Sequence, residues 1–410
     1  MLLQVCSRKP FFVSLGAAVG MIVGMVGNDE WEARAGDVAC SPPRPSRFWS
    51  ASSKAGLVSR RHKAHADVMT NRASTASPSY TALGWSSFFE SQVSPEEAGL
   101  TAMRIATVHR TRVTAISPEA SVRLQLPVGM RTTDLAVGDW VLVAPESATL
   151  VRPLKRKSLL RRRTEGSHAP QLISANLDTL LIVTSCNDDF NPSRLERYLA
   201  LANDAGIRPV IVITKADKTA EAERFRSQAS ALQRNLEVVT LNATEDAAAE
   251  ILAPWCGEGQ TVALVGSSGV GKSTLLNTLV GASAQEPQLT GSVREGDAKG
   301  RHTTTSRSLH VIAAGGCVID TPGMRSLHVS DAAAGLEMLF ADISELASHC
   351  KFSNCTHGHE PGCAVLEAAA SGALDPERLE RWRKLEAENR SNTKRMAGPR
   401  GNKRAEYRKG

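Results

Sequence analysis

Along residues 100–172 apolar and polar positions alternate in short runs, at 104–108, 121–126 and 139–143, separated by breakers at Pro118, Pro127, Gly129 and Gly138. A period of two between turn residues predicts half-buried strands, and a stretch of this length without helical periodicity predicts a small β-barrel. An oligonucleotide-binding (OB) barrel is the natural candidate where a basic run adjoins it, although any small barrel shows the same pattern. From Asp178 the pattern changes: apolar runs at 180–183 and 210–213, then strands at 237–241 and 261–265, alternate with amphipathic segments such as 193–205, where Leu195, Leu199 and Ala202 fall at helical spacing. Repeated strand-helix units predict an α/β domain, a mostly parallel sheet with helices on both faces, whose ligands sit at the carboxyl ends of the strands. Residues 28–95 show no sustained period of 2 or 3.6, and no fold is read there.

A chain of 410 residues holds roughly two to three domains. With 42% apolar and 22% charged residues it suits folded domains and is neither a mainly disordered chain nor a polytopic membrane protein. The net charge of +7 is unevenly placed. Residues 152–163 carry seven Lys or Arg and no acid, and residues 381–410 carry eleven against three Glu. A solvated loop and tail is the plain reading of either run alone, but two separate runs point to a polyanion, and nucleic acid is the better guess. Cysteines 6, 40, 186, 256, 317, 350, 355 and 363 cluster only at the end, which is no disulfide framework and suits a reducing compartment. At the N-terminus Arg8 and Lys9 precede an uncharged run over 10–27, with Ala33-Arg34-Ala35 beyond it, the outline of a signal peptide or short anchor. The preferred reading is that residues 1 to about 68 are translated sequence upstream of a start at Met69, with a targeting segment or a disordered extension as alternatives.

Directly after the strand at 261–265 comes Gly266-Ser267-Ser268-Gly269-Val270-Gly271-Lys272-Ser273-Thr274, followed by an apolar helix. This satisfies GxxxxGK(S/T) in its strand-loop-helix context: backbone N–H groups and the helix N-terminus face phosphate, Lys272 supplies a cation, and Ser273 a hydroxyl for Mg²⁺. Thr214-Lys215-Ala216-Asp217, at the end of the 210–213 strand, reads as the (N/T)KxD element. The Asp217 carboxylate would accept from the two guanine donors that adenine lacks, with Lys215 lying over the base. Asp320-Thr321-Pro322-Gly323 reads as DxxG, with Asp320 reaching the Mg²⁺ shell and the Gly323 N–H reporting the γ-phosphate. Between them Gly300-Arg301-His302-Thr303-Thr304-Thr305 is a polar loop that could offer a threonine hydroxyl to Mg²⁺. The base reader precedes the phosphate loop, the reverse of the ordinary order, which a circular permutation explains without moving any group in space. Finally, Cys350, Cys355, His357 and Cys363 offer three thiols and an imidazole to one zinc ion in a closed tetrahedral site, with His359 the alternative imidazole.

Together a barrel, TKAD, GSSGVGKST, GRHTTT and DTPG in permuted order, and a C-x4-C-x-H-x5-C site resemble the RsgA/YjeQ family of circularly permuted bacterial GTPases, over about residues 100–395. The resemblance implies an extension over 1–98, disordered or partly upstream of the true start, and an N-terminal OB-type barrel domain over 99–172. A central circularly permuted P-loop GTPase domain would span 173–330, a C-terminal helical zinc-binding domain 331–395, and a basic tail 396–410. It also implies ribosome-stimulated GTP hydrolysis during late 30S maturation, with the 30S subunit, 16S rRNA, GTP and GDP as partners, in a cytoplasmic monomer without stable membrane association. Carried over, Thr214 to Asp217 read the base, Gly266 to Thr274 hold phosphate and Mg²⁺, and Cys350, Cys355, His357 and Cys363 hold zinc. Thr214 stands where the family more commonly has Asn, an amide that both donates and accepts, and the long extension is unlike the family. Met324 stands where Ras-like enzymes place a water-orienting Gln, so slow intrinsic turnover is expected. His302 is then the expected water-orienting group, the alternative being a loop histidine that packs or contacts RNA. The competing functional readings are a GTP-switched RNA-binding module without ribosome-stimulated catalysis and a P-loop ATPase or kinase.

Overall fold

The computed structural model describes residues 78–162, 170–281, 307–321 and 329–397. Five strands of the N-terminal part, β1 (Thr101–Val108), β2 (Val113–Ile116), β3 (Ser121–Leu124), β4 (Trp140–Ala144) and β5 (Thr149–Pro153), form a ring. β1 pairs antiparallel with β2 and β4, β2 with β3 and β4 with β5, and a parallel bridge between Gln125 and Thr149 closes the circle. Alternation does the sorting: Met103, Ile105, Val113, Ala115, Leu124, Val141, Val143 and Leu150 fill the interior, while Arg112 and Arg123 stay outside. The closed order β1-β2-β3-β5-β4 is consistent with the OB type of small barrel. A hairpin of β6 (Leu159–Arg162) and β7 (Gln171–Ala175) follows, so the boundary expected at 172 falls inside a strand.

The expected lack of fold up to residue 98 does not hold for residues 78–98. A turn and a short helix, α1 (Ser87–Glu90), bury Leu83 and Phe89 and pack Trp85 edge-on at 4.8 Å and Phe89 tilted at 5.9 Å from the Trp140 ring. Aromatics on irregular backbone carry no period, which is why the pattern was silent there. Met69 and the rest of the extension lie outside the described residues. At the centre Arg104, 1% exposed, donates to the Leu83 and Gly138 carbonyls, to Asn176 O at 3.2 Å and to Thr261 Oγ1 at 2.8 Å.

Six further strands build the second sheet: β8 (Thr179–Ser185), β9 (Arg208–Thr214), β10 (Glu237–Thr240), β11 (Thr261–Gly266), β12 (Ser308–Val311) and β13 (Cys317–Asp320). Their order is β10-β9-β8-β11-β13-β12, parallel except for β12, whose Ser308 also pairs with Thr107 of the barrel. β8 and β11 are buried at every position, the signature of strands covered on both faces. One face packs Leu180, Ile182 and Ile211 against Leu195, Tyr198 and Leu199 of α2 (Pro192–Asp204). The other packs Leu181, Val183 and Leu264 against Leu252 of α4 (Ala247–Cys256) and Leu275, Leu276 and Leu279 of α5 (Lys272–Val280). Each such side chain contributes about 1.5–3 kcal/mol of burial, so the loops at the strand ends are held by a rigid floor.

Beyond the sheet come α6 (Ala333–Leu339), α7 (Ala341–Ala347), α8 (Ala364–Ala370) and α9 (Pro376–Ala397). α6 lies close on α2 at Gly335, where a Cβ would stand 2.1 Å from the Ala200 carbonyl oxygen. α9 adds Arg381, 2.9 Å from the fully buried Glu196 of α2, and Arg378, 2.7 Å from Asp342. The basic run is partly spent inside the protein, since Arg152 pairs with Glu97 and Arg156 with the buried Asp139, each at 2.6 Å. Lys155, Lys157 and Arg161 remain exposed. The tail after Ala397 lies outside the described residues.

Candidate nucleotide site and metal centre

β11 ends at Gly266, whose φ of +142° brings its backbone so near β8 that a Cβ would lie 2.1 Å from Val183 O. Gly269 and Gly271 also take positive φ, +83° and +93°, which lets the loop turn back over the first residue of α5. That residue is Lys272, whose ammonium donates to the carbonyl of Ser267 across the loop. Ser273 and Thr274 follow in the first turn of α5, where backbone N–H groups have no helical acceptor.

Thr214 closes β9 fully buried, with Oγ1 2.6 Å from Val270 O and 3.1 Å from Thr184 O. A hydroxyl has one proton, and the shorter contact ties the base-reading element to the phosphate loop. Lys215 turns in left-handed conformation, φ +58°, and Asp217 is exposed in the short turn after it. Cys186, at the end of β8, donates its N–H to Thr214 O at 3.1 Å, and its thiol is pushed up by burial and by the Asp217 charge. Asp320 ends β13 in register with Leu264 of β11, and Thr321 Oγ1 donates to Leu264 O at 2.5 Å. Across the edge, Ser308 faces Asp320, with its Oγ 2.8 Å from His310 Nε2, and burial pushes that imidazole down.

The structure thus brings Thr214 to Asp217, Gly266 to Thr274 and Asp320 to one edge, the carboxyl ends of β9, β11 and β13. Gly323, Met324, His302 and Thr303 to Thr305 lie outside the described residues. The chemistry of this edge fits a magnesium nucleotide: a hydroxyl at Ser273, a carboxylate at Asp320, a cation at Lys272 and a loop of N–H donors. The sequence did not disclose the Thr214 and Thr321 hydrogen bonds, because they join residues 30 to 57 positions apart.

The candidate metal centre lies between α7 and α8. The donor atoms of Cys350, Cys355, His357 and Cys363 all fall within 4.8 Å of one another. Cys350 Sγ is 3.8 Å from Cys363 Sγ, and His357 Nδ1 is 3.5 and 3.4 Å from those two sulfurs. Zinc bonds to sulfur and nitrogen imply tetrahedral edges of about 3.6 to 3.8 Å, so the donor set fits. His357 is the imidazole of this cluster, whereas His359 is exposed. The ring packs on Trp382 of α9 at 5.6 Å, and the Glu360 carboxylate accepts from the N–H groups of Thr356 and Gly358, which holds the loop. The Thr356 hydroxyl, which also donates to it, and then these N–H groups keep the Glu360 carboxyl well below the usual range.

Among the described residues no helix is long and apolar enough to cross a membrane. The family model for the RsgA GTPase matches residues 153–330. The small ribosomal subunit biogenesis GTPase RsgA of Mesorhizobium japonicum is 61% identical over 328 residues, 80% of this chain and 95% of that protein. The corresponding RsgA 2 of Vibrio vulnificus is 46% identical over 327 residues, 79% of this chain and 92% of that protein. The crystal structure of YjeQ from Thermotoga maritima is similar with a TM-score of 0.51 at 25% identity, covering 73% of this chain and 100% of that one. With its motifs in permuted order along the chain yet gathered on one sheet edge, and with relatives this near over most of its length, the chain belongs to the RsgA family of GTPases.

Proposed function

We propose that the protein binds GTP with Mg²⁺ at the β9/β11/β13 edge and hydrolyses it to GDP and phosphate in the maturation of the small ribosomal subunit. The observation that carries this reading is the convergence of the Asp217 turn, the phosphate loop and Asp320 on one edge, with Thr214 bonded to the loop at Val270. Thr214, Lys215, Ala216 and Asp217 read guanine. Gly266 to Gly271 wrap the phosphates, and Lys272 exchanges the Ser267 carbonyl for a phosphate oxygen. Ser273 and Asp320 hold the metal, Thr274 completes the loop, and the Gly323 N–H senses the γ-phosphate. Mg²⁺ held by Ser273 and Asp320 would supply positive charge that offsets the negative charge of the phosphates. His302 orients the attacking water, a role that Met324 cannot fill. Cys350, Cys355, His357 and Cys363 hold one zinc ion, whose binding free energy stabilises the helices around it.

The place of action comes from the relatives, which are named for small-subunit biogenesis. With that place of action we take 16S rRNA as the contacted polyanion, the cytoplasm as compartment and a monomer as the acting form. The test is GTP turnover with and without purified small ribosomal subunits. Stimulation by the subunits is expected, and His302→Ala should lower the stimulated rate by about 10² to 10⁴ while GTP affinity barely changes. Turnover that ignores the subunits would leave a GTP-switched RNA-binding module. A His302→Ala variant with normal chemistry but weakened subunit binding would make His302 an RNA contact.

A further inference from the structure

The face of the sheet that carries Asp320 continues onto β12. In the antiparallel pair of β12 and β13, Ser308 stands opposite Asp320 and His310 opposite Val318, and residues two apart on a strand share a face. Val318 packs with Leu264, Leu275 and Leu279, so this is the face that α5 covers, the helix that opens with Lys272 and Ser273. Side chains directly opposite in such a pair have Cβ atoms about 4.5–5.5 Å apart, within reach of a hydroxyl on one and a carboxylate on the other. Asp320 is 6% exposed, and a carboxylate so buried needs hydrogen-bond donors beside its cation. Ser308 and His310 are half-buried, with Ser308 Oγ 2.8 Å from His310 Nε2.

A hydroxyl holds one proton and can accept from one donor while donating to another. When His310 Nε2 carries hydrogen and donates to Ser308 Oγ, the Ser308 proton is left for Asp320; the other tautomer would spend it on the imidazole. Burial, foremost, pushes the imidazole pKa down and the Asp320 charge works against it, so the carboxylate acts on His310 across this short distance. That negative charge favours the first arrangement, in which both the N–H and the O–H dipole point along the row towards it. We propose that His310 and Ser308 are positioning residues, which pass a hydrogen bond along β12 to Asp320 and hold its carboxylate for Mg²⁺. The inference rests on the assignment of Asp320 to the metal made above. Outer partners of this kind orient a metal-binding carboxylate, and their loss costs about 10- to 100-fold in metal affinity.

The test measures, on the full chain, the Mg²⁺ concentration that half-maximally tightens binding of fluorescent GDP, beside GDP affinity in excess EDTA. Ser308→Ala should raise the Mg²⁺ requirement by about 10- to 100-fold and leave affinity in EDTA unchanged, a split that a packing defect in the nucleotide site would not give. Ser308→Thr keeps the hydroxyl and should match wild type. His310→Phe keeps a ring and loses the donor, so it should shift the Mg²⁺ requirement the same way, and His310→Gln, which restores an N–H donor, should bring it back. Ser227→Ala, the same change at an exposed serine of α3 (Ala222–Ser230), should change nothing. Urea unfolding of each variant confirms that it folds. A folded Ser308→Ala with the wild-type Mg²⁺ requirement overturns the proposal. So does a folded His310→Phe that needs no more Mg²⁺ than wild type, because the imidazole then takes no part. Asp320→Ala is measured in parallel: if it loses the Mg²⁺ response while Ser308→Ala keeps it, the β12 pair alone is refuted, and if it keeps the response, the assignment of Asp320 to the metal is refuted and the proposal falls with it.

Discussion

Thr214→Val removes one hydroxyl and keeps the shape of the side chain, so it isolates the bond between the base-reading strand and the phosphate loop. In the wild type Thr214 Oγ1 lies 2.6 Å from Val270 O, with both residues buried. Without the hydroxyl, that carbonyl is left without its side-chain donor, a loss of about 1–3 kcal/mol. Two measurements divide this penalty. If the empty loop keeps its shape, the free protein loses the whole amount, seen in urea unfolding, and nucleotide affinity is unchanged. If the empty loop relaxes and lets water reach Val270, stability is spared and the nucleotide must restore the loop, which weakens GDP binding by about 5- to 150-fold in a fluorescent-nucleotide titration. Thr214→Ser keeps the hydroxyl and should stay near wild type in both. Normal unfolding together with GDP affinity within about twofold of wild type would refute the tether, since 1 kcal/mol alone is about fivefold.

Asp217→Asn should lose preference for GTP and gain affinity for xanthosine triphosphate, because an amide can donate to the carbonyl that replaces the guanine amine; retained GTP preference in a competition titration would contradict the base-reading role. Replacing Cys350 and Cys355 by Ser should release about one zinc ion per chain, measured by metal analysis, and loosen the helices around the cluster, whereas a wild type free of zinc would end that assignment. Gly335→Ala must push α6 away from the Ala200 carbonyl, 2.1 Å from the new Cβ, and should cost about 1–3 kcal/mol by overpacking, visible as a lower urea midpoint; an unchanged midpoint would mean the two helices part freely. Hydrogen bonds from Arg152, foremost, hold the Glu97 carboxyl down at about 2. A depressed carboxyl stabilises the fold above its unfolded value of about 4.3, and that contribution fades as the pH falls towards 2. Trp85 fluorescence should therefore report looser docking of residues 78–98 on acidification, and Glu97→Gln should show it already at neutral pH.

The chemistry of the nucleotide edge was legible because it is written in contiguous strings. A phosphate loop needs its glycines, lysine and hydroxyl within nine residues, and a parallel strand buried on both faces reads as an apolar run, as Leu180 to Val183 does. What stayed hidden depends on partners far along the chain. Thr214 looked like a weaker Asn until its hydroxyl was seen on Val270. The run from Arg152 looked like free charge, yet Glu97 and Asp139 claim two of its guanidiniums. β2 and β5 went unread because Val113-Thr114-Ala115-Ile116 ends on two apolar residues and Thr149-Leu150-Val151-Arg152-Pro153 sets two side by side before a charge and a proline, so neither keeps a period of two. Spacing put His357 ahead of His359, and His357, in left-handed backbone with φ +54°, is the imidazole that stands among the three thiols.

Arg104 bears on the order in which the nascent chain gains its structure. Two of its acceptors, Leu83 and Gly138, lie in or before the barrel, but Asn176 lies beyond it, and Thr261 lies 157 residues downstream on β11. While synthesis runs from the N-terminus, the barrel segment leaves the ribosome long before β11 exists, and Arg104, on the outer face of β1 between the inward Met103 and Ile105, must keep water until that strand arrives. Docking of the barrel on the parallel sheet is therefore a late event, whereas the barrel interior asks nothing of β11. A fragment cut after the barrel should keep Arg104 solvated, and Arg104→Met, which needs no acceptor, is the change that would leave that fragment with an exposed apolar patch in its place.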